Sequence, residues 1–364
     1  MKVLHVITSM HTGGAEKLVV EFVPRLQKKG YEVAVAVFNG EDTPFMKELI
    51  KSGCRIFRLS NRGAYYNPLY IFKLIKIMRN YDIVHTHNSS PQLFVAVANM
   101  FCKKKIVTTE HSTNNRKRNY KIFLWIDKWM YRRYHKVICI SDIAKNVLCS
   151  TLNITQSSLL NNILTINNGV DVEEYHQAIP IEKTDKTKRV ICMVAGFRKA
   201  KDQDTLIKAF ILLPQKMFEL WLVGDGERRE ALKALVEKER LQDSVKFLGV
   251  RSDIPQILKA SDIIVMSSHW EGLSLSNIEG MSVGKPFIAS DVNGLREVTS
   301  GYGILFEHGD ATQLAEIILK LSSDSSYYNQ VATACYERAK QFDISKTVEQ
   351  YDQVYQSLFK DERN

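Results

Sequence analysis

The feature that most restricts this chain is a rhythm that runs, stops and starts again. Short runs rich in Val and Ile alternate with longer segments whose apolar residues recur near every 3.6 positions. Val3–Thr8, Glu32–Phe38, Arg55–Leu59, Asp82–His85, Lys105–Thr109 and Lys136–Ile140 read as strands, with helices such as Ala15–Lys29 and Leu69–Arg79 between them. Such alternation needs right-handed crossovers and gives a parallel sheet covered on both faces. The rhythm pauses over a polar stretch, 173–188, that carries Pro180 and ends in the charged run Glu182–Arg189. It resumes with strands at Val190–Ala195, Phe218–Val223, Val245–Leu248, Ile263–Met266 and Pro286–Ala289. The expected fold class is therefore α/β, with two parallel-sheet domains: residues 1–172, a linker at 173–188, and residues 189–342. Open sheets of this kind take ligands outside the carboxyl ends of their strands, so two that face each other would make a cleft.

Composition narrows the setting. The mean hydropathy is −0.19, and no apolar run approaches the roughly 18 residues that span a bilayer. The apolar start runs straight into Met10, His11, Gly13 and Gly14, a strand and glycine turn with no cleavage site of a signal peptide. The six cysteines form no Cys-x-x-Cys pair, which fits reduced, buried thiols in a cytoplasmic protein better than disulfides or zinc. Net charge is +10 but unevenly placed. Residues 1–180 hold 25 Lys and Arg against 13 Asp and Glu; the remainder holds 25 against 27. A basic first half points to an acidic partner: a phosphorylated substrate, an anionic membrane or nucleic acid. No recognised nucleic-acid-binding module accompanies it, so no nucleic-acid partner is expected.

The strongest local signal runs from Trp270 through Glu271 and Leu275-Ser276 to Glu279-Gly280, after one strand and into a helix. Backbone amides around Leu275–Asn277 would form an anion site at the helix start. Two carboxylates, Glu271 and Glu279, flank it and suit the hydroxyls of a polyol. A ligand with phosphates in the middle and hydroxyls at both ends fits this set, and a nucleotide sugar is such a ligand. The alternative reading is structural: Ser276-x-x-Glu279 matches a capping box, and Glu271 reads as a solvated loop carboxylate. Gly224 and Gly226 follow a strand and open a helix, where they permit close backbone approach. Arg198, Lys199 and Lys201 end another strand and could neutralise a diphosphate, or simply form a solvated turn. In the first half Gly13-Gly14 follows the first strand, and His85, His87 and His111 sit at strand ends. His-x-His lacks a third ligand at recognisable spacing, and Asp202-Gln203-Asp204 reads as a helix start, so no metal is expected. The other histidines, His5, His11, His135, His176, His269 and His308, are taken as structural or surface residues.

With these residues in view, the chain resembles the retaining glycosyltransferases of family four, which have the GT-B architecture. The likeness runs from Gly13-Gly14-Ala15-Glu16 through Asn167–Asp171, Lys201–Ile207, Val223–Glu227 and Leu248-Gly249 to the pair Glu271 and Glu279. It implies two Rossmann-like domains facing across a cleft, a first domain on the acceptor side, and a second that holds the nucleotide-sugar donor. It also implies that the C-terminal segment 343–364 packs back on the first domain, and that no metal cofactor is used. By matching position, Glu271 corresponds to the carboxylate near the donor sugar, Glu279 to the one on the ribose, and Lys201 to the diphosphate lysine. His111 corresponds to the active-site histidine, Gly14 to the glycine beside the reaction centre, and Val250 and Arg251 to the segment that reads the base. One departure stands out: the family commonly has arginine where this chain has Gly196, and Arg198 is the candidate replacement.

The implied reaction keeps the anomeric configuration, with Lys201, Arg198 and helix amides stabilising the departing diphosphate. Frequency within the family favours a UDP-sugar, with a glycan or lipid-linked acceptor in bacterial surface polysaccharide synthesis. Two alternatives stay open: a nucleotide-sugar epimerase of similar fold, and a sugar-nucleotide binding protein without activity. Finally, Arg116–Trp125, with Trp129, Arg132, Arg133 and Lys136, mixes cations with aromatic residues. That mixture suits peripheral docking on the anionic inner face of a membrane.

Overall fold

The computed structural model describes residues 1–11, 13–61, 63, 66–111, 121–154, 160–271 and 274–360. The chain divides into two compact units, one formed by Met1–Gly169 with Ile344–Asn364, the other by Val170–Asp343.

In the first unit the order is β1 (Lys2–Ile7), α1 (Gly14–Lys28), β2 (Glu32–Asn39), α2 (Pro44–Lys51), β3 (Arg55–Ser60), α3 (Tyr70–Met78) and β4 (Ile83–His87). There follow α4 (Ser89–Cys102), β5 (Lys105–Glu110), α5 (Lys121–Tyr131), β6 (Lys136–Cys139), α6 (Asp142–Leu152) and β7 (Ile163–Thr165). The strands form one parallel sheet in the order β3-β2-β1-β4-β5-β6-β7. Strand order reverses between β1 and β4, and the crevice for a ligand opens at their carboxyl ends. Alternate residues of each strand face opposite sides. Val3, Ile7, Val33 and Val35 pack with α1, α2 and the C-terminal helix (Ile344–Lys360). Leu4, Val6, Ala34 and Ala36 pack with α3, α4, α5 and α6. Tyr351 of the C-terminal helix meets Phe22 of α1 edge-on, ring centroids 4.7 Å apart. Local chemistry sets the helix starts: Thr43 Oγ1 accepts from the Met46 amide at 3.1 Å with Pro44 following, and Ser141 Oγ accepts from Ala144.

The second unit opens with α7 (Val172–Gln177) and continues through β8 (Arg189–Val194), a 3-10 turn at Lys199–Lys201, α8 (Gln203–Ile211), β9 (Phe218–Val223) and α9 (Arg229–Lys238). Next come β10 (Val245–Gly249), α10 (Ile254–Ala260), β11 (Ile263–Met266), α11 (Leu275–Ser282), β12 (Phe287–Ser290) and α12 (Arg296–Thr299). It closes with β13 (Ile304–Phe306), α13 (Ala311–Ser323) and α14 (Ser325–Ala339), after which the C-terminal helix, α15, belongs to the first unit. This parallel sheet has the order β10-β9-β8-β11-β12-β13, with its reversal between β8 and β11.

The stretch expected as a linker differs from expectation. Its beginning is helical, and Val172 and Tyr175 of α7 are buried in the second unit's core beside residues of α10 and α11. Val172, expected as the last residue of the first domain, and Tyr175, hidden in the polar stretch, stand three positions apart and give this helix its buried face. Among the described residues, no helix is long and apolar enough to cross a membrane.

Candidate functional site

The carboxyl edge of the second sheet is built from four successive strand ends. After β8 the chain turns at Gly196–Arg198 into the Lys199–Lys201 turn, and Asp202 takes the left-handed conformation (φ 47°). Asp202 then caps α8, accepting from the Thr205 amide at 3.3 Å and hydroxyl at 2.7 Å, while Ser267 Oγ donates to the Asp202 carbonyl at 2.8 Å. That arrangement ties the end of β8 to the end of β11 across the switch point. Lys201 and Glu271, each mostly buried, form an ion pair there. Ser268 Oγ donates to the same carboxylate oxygen, Glu271 Oε1, at 2.9 Å.

Gly224 and Gly226 both have positive φ. A Cβ on Gly224 would lie 2.2 Å from the Ala195 carbonyl oxygen, and one on Gly226 2.5 Å from that of Phe197. Only glycine lets the β9 loop lie this close to the β8 loop. Phe197 and Arg228 amides complete the lacing with Asp225 and Phe197 carbonyls, at 2.9 and 3.0 Å. These glycines thus shape the loop floor. Arg198 is exposed and pairs with no carboxylate among the described residues. Its Nε lies 3.8 Å from where a Cβ on Gly196 would stand. Val250 is exposed beyond β10, and Arg251 is held by Asp253 through Nε at 2.8 Å and Nη2 at 2.6 Å.

α11 settles the capping question. Its N-cap is Ser274, so Leu275 and Ser276 are the first two helical residues and Glu279 is the fifth. Ser276 therefore does not cap this helix, and Glu279 stands two positions past N3, the place of the glutamate in a capping box. Glu279 is only 5% exposed, an unusual degree of burial for a carboxylate. Gly272 and Leu273, within the same motif, lie outside the described residues.

The first unit gathers its histidines at its own switch point. Register places His5 of β1 opposite His85 of β4, and His87 opposite Thr109 of β5. His5, His85 and His87 are buried, and His111 follows β5. His5 Nδ1 lies 3.0 Å from His87 Nε2, and His87 Nδ1 lies 3.0 Å from His111 Nε2. His85 lies tilted against His87, ring centroids 4.4 Å apart, but bonds elsewhere: Nδ1 to Tyr355 Oη at 2.6 Å and Nε2 to Thr109 Oγ1 at 2.8 Å. Thr109 Oγ1 in turn meets Tyr351 Oη at 3.0 Å. Burial lowers the His5 pKa to about 3 and that of His111 to about 4, and pushes His85 and His87 well below the usual range. All four rings are neutral at pH 7. Gly14 is the exposed first residue of α1.

Two groups of described residues that each lie within a single unit have ligand atoms close enough to hold a metal: His5, His85 and His87, and Asp202, His269 and His308. In the first group most of the nitrogens are already engaged with one another or with hydroxyls. In the second, His269 Nδ1 and His308 Nε2 are 2.6 Å apart, a hydrogen bond.

The structure brings Lys201 and Glu271 into contact and places Arg198, Gly224, Gly226, Val250, Arg251, Leu275, Ser276 and Glu279 along the carboxyl edge of the same sheet. His111 and Gly14 belong to the first unit. Sequence reasoning passed over His5, Ser268, Tyr351 and Tyr355. A Rossmann strand order puts β1 beside β4, so the partnership of His5 with the His-x-His strand was open to inference. The tyrosine contacts, some 240–270 residues away in sequence, were not.

Residues 12–174 match the family described as Glycosyltransferase Family 4, and residues 174–342 match Glycosyl transferases group 1. The chain is 28% identical to the N-acetyl-alpha-D-glucosaminyl L-malate synthase of Bacillus anthracis, covering 97% of this chain and 96% of that protein. It is 29% identical to the UDP-Gal:alpha-D-GlcNAc-diphosphoundecaprenol alpha-1,3-galactosyltransferase of Escherichia coli, covering 78% and 77%. Its fold matches that of Anabaena HepE, solved in complex with UDP-glucose, with a TM-score of 0.83 at 22% identity over 98% of this chain and all of that one. Two parallel α/β units, a lysine–glutamate pair at a switch point and two family matches spanning residues 12–342 lead to one assignment: the chain belongs to the family-4 glycosyltransferases of the GT-B fold.

Proposed function

We propose that this glycosyltransferase moves a sugar from a UDP-sugar to a hydroxyl of a glycan or lipid-linked acceptor, with retention of anomeric configuration and without a metal. The observation that carries the reading is the Lys201–Glu271 pair, with Glu279 buried early in the helix that follows. An ammonium for the diphosphate and carboxylates for hydroxyls on either side describe a nucleoside diphosphate sugar from one end to the other. Lys201 is held in place by Glu271 before any ligand arrives, so little reorganisation is needed when the diphosphate leaves. Arg198, which pairs with no carboxylate among the described residues and lies near Gly196, supplies the second cation. The α11 amides at Leu275 and Ser276 add a partial positive charge. The acceptor hydroxyl attacks the anomeric carbon as the bond to the diphosphate breaks, and its proton leaves with the phosphate oxygen. By resemblance His111 serves the donor sugar.

The relatives support the donor and acceptor classes. HepE is described in complex with UDP and with UDP-glucose. The E. coli relative carries UDP-Gal and a diphosphoundecaprenol acceptor in its name, and supports a role in bacterial surface glycan synthesis. An anionic membrane is the surface we assign to the first unit. Leu69, which precedes α3, Phe72 of α3, Met100 and Phe101 of α4, and Phe123 and Trp125 of α5 are all exposed large apolar groups. These helices share one face of the sheet, with exposed Lys76, Arg79, Lys103, Arg132 and Arg133 among them. Arg116, Lys117 and Arg118, part of the sequence argument for docking, lie outside the described residues.

The test is turnover with a panel of nucleotide sugars and a polyprenyl-diphosphate sugar acceptor, with product configuration read by NMR. An α-linked product from an α-linked UDP-sugar, activity that survives chelator, and at least a tenfold loss in Lys201→Ala are expected. Inverted product, abolition by chelator or full activity of that variant would overturn the reading. A tenfold loss corresponds to about 1.4 kcal/mol of barrier.

A further inference from the structure

Three loops at the carboxyl edge of the second sheet bring unlike ligating groups to one point. Asp202 ends the turn after β8, His269 stands after β11, two residues before Glu271, and His308 follows β13. His269 Nδ1 lies 2.6 Å from His308 Nε2 and 3.6 Å from Asp202 Oδ2. The ligating atoms of all three residues lie within 4.8 Å of one another.

A single proton does not serve this group. If His269 Nδ1 carries it, the proton goes to His308, and the Asp202 oxygen is too far away to accept it. If His308 Nε2 carries it, His269 Nδ1 is bare and turns no N–H towards the carboxylate. A divalent cation in the proton's place would meet two imidazole nitrogens and one carboxylate oxygen. That donor set suits zinc and its neighbours among the transition metals, with a water as the fourth ligand.

The surroundings hold these side chains as ligands are usually held, by contacts behind them. Asp202 is buried, its Oδ2 accepts from the Thr205 hydroxyl at 2.7 Å, and Ser267 Oγ donates to its carbonyl at 2.8 Å. The His269 amide donates to the Ala200 carbonyl at 2.8 Å, and its ring stacks with Trp270, centroids 5.9 Å apart. His308 is exposed and leaves a route from solvent. The open hollow beside the group, lined by Lys199, Asp202, Thr205 and His269 among others, carries three basic and three acidic side chains. Its charge is balanced, so the choice of ligand falls to the ligating atoms.

We propose that Asp202, His269 and His308 bind a divalent transition-metal ion, zinc by preference, which clamps the chain ends after β8, β11 and β13 to one another. The hydrogen bond between the two histidines is the metal-free state of the same site. None of the three ligands is a residue assigned to the nucleotide sugar, so the clamp is separate from the transfer reaction and does not rest on that reading.

The experiment uses the full chain, stripped of metal and held at about pH 7.5, where ordinary histidines are neutral. Co2+ is titrated in and read by its visible absorption, and Zn2+ is then titrated against it. One Co2+ should bind per chain and Zn2+ should displace it, while excess Mg2+, which prefers oxygen ligands, should not. His269→Ala and His308→Gln should each weaken Zn2+ binding at least tenfold, the lower end of the loss from removing even a supporting partner of a ligand. Asp202→Asn keeps a good N-cap for α8 and should bring the same loss. His11→Ala, at an exposed histidine of the first unit, should leave Zn2+ affinity within twofold. Hydrogen exchange on adding Zn2+ should slow in residues 199–204, 267–270 and 307–310 and stay unchanged in the first unit. A wild type that binds neither Co2+ nor Zn2+ in the high micromolar range, or affinity that both histidine variants keep, would overturn the site. Binding that slows exchange in none of the three loops would overturn the clamp. If the wild type turns over no nucleotide sugar, the proposed function fails and the titrations still decide the metal site.

Discussion

In the first unit the two strands beside the switch point, β1 and β4, carry His5, His85 and His87 within the sheet itself. In the second, β11 is wholly apolar and β8 is apolar after Arg189, and polar chemistry begins in the loops that follow them. The topology is common to both, and so is the place where strand order reverses. One unit fills that place with neutral rings in a buried hydrogen-bonded network, the other with an ion pair and glycine turns. A buried network gives position, because each member has few alternatives. Paired charges at a strand edge give affinity for an anion that can exchange with one of them. The same topological position thus accommodates orientation in one unit and charge in the other. The excess positive charge of the first half lies mostly outside its switch point, on helices and loops.

Acid should separate the units most strongly. An unfolded chain takes up a proton on each histidine near pH 6.5, whereas folded His5 does so only near 3 and His111 near 4. Between those limits the unfolded state binds more protons, so stability falls as pH falls. Each such histidine costs about 1.4 kcal/mol per pH unit below 6.5, or about 2 kcal/mol by pH 5. His85 and His87 shift the same way. In the second unit, only His176 among the described residues shows such a drop. Hydrogen exchange corrected for intrinsic rate should show β1 and β4 amides losing protection at pH 5 while β8 and β11 amides retain it. The reverse order would break the contrast.

The two glutamates test the charged side. Glu279→Gln should weaken UDP binding by about 1.5–3 kcal/mol, the usual worth of a hydrogen bond to a charged group. Glu271→Gln removes the partner of Lys201 and frees its ammonium for the diphosphate. UDP affinity should hold or rise, while turnover of the UDP-sugar falls. Calorimetric titration of both variants with UDP reads this directly. Equal losses in the two would mean that the carboxylates do not divide their work between ribose and sugar.

How much of this was legible in the sequence follows from where the information sits. Periodicity exposed strands of four residues or more, since Val and Ile repeats of that length stand out. It missed β7, Ile163–Thr165, and β13, Ile304–Phe306, each a three-residue strand on a sheet edge. Short edge strands owe their form to the neighbour already in place. The strand-end motifs were visible because glycines, cations and carboxylates follow apolar runs at fixed offsets. The bond between Lys201 and Glu271 was not, because it joins loops seventy residues apart that only the β8–β11 adjacency brings together. For Ser276 the local pattern gave a capping box that the helix start at Leu275 rules out.

A smaller effect is expected on the face formed by α3, α4 and α5. Phe72 and Trp125 are 71% and 69% exposed. Partial burial of each ring in a lipid interface contributes about 1–2 kcal/mol, at the lower end of full apolar burial. Phe72→Ser with Trp125→Ser should reduce sedimentation with vesicles rich in anionic lipid about tenfold or more, while UDP binding stays unchanged. Wild type that ignores such vesicles at low salt, or a variant that binds as well, would remove the membrane from the first unit's role.

The smallest effect expected is also the most local. Ser268 is fully buried at the end of β11, and Ser290 Oγ of β12 donates to its carbonyl at 2.6 Å. Ser268 Oγ gives its own proton to Glu271 Oε1, the oxygen that also receives Lys201. Ser268→Ala removes one of these two donors and leaves the other, so the carboxylate stays paired but less sharply aimed. The loss should be about 1 kcal/mol, within the usual range for one hydrogen bond, and should appear as a several-fold drop in kcat with little change in KM. If Ser268 works through Glu271, the double variant Ser268→Ala with Glu271→Gln should be no worse than Glu271→Gln alone, because residues in one network do not add. Additive losses would mean instead that Ser268 supports the β11–β12 edge as a whole. The second unit would then resemble the first more than the contrast allows, with buried hydrogen bonds positioning its site as well.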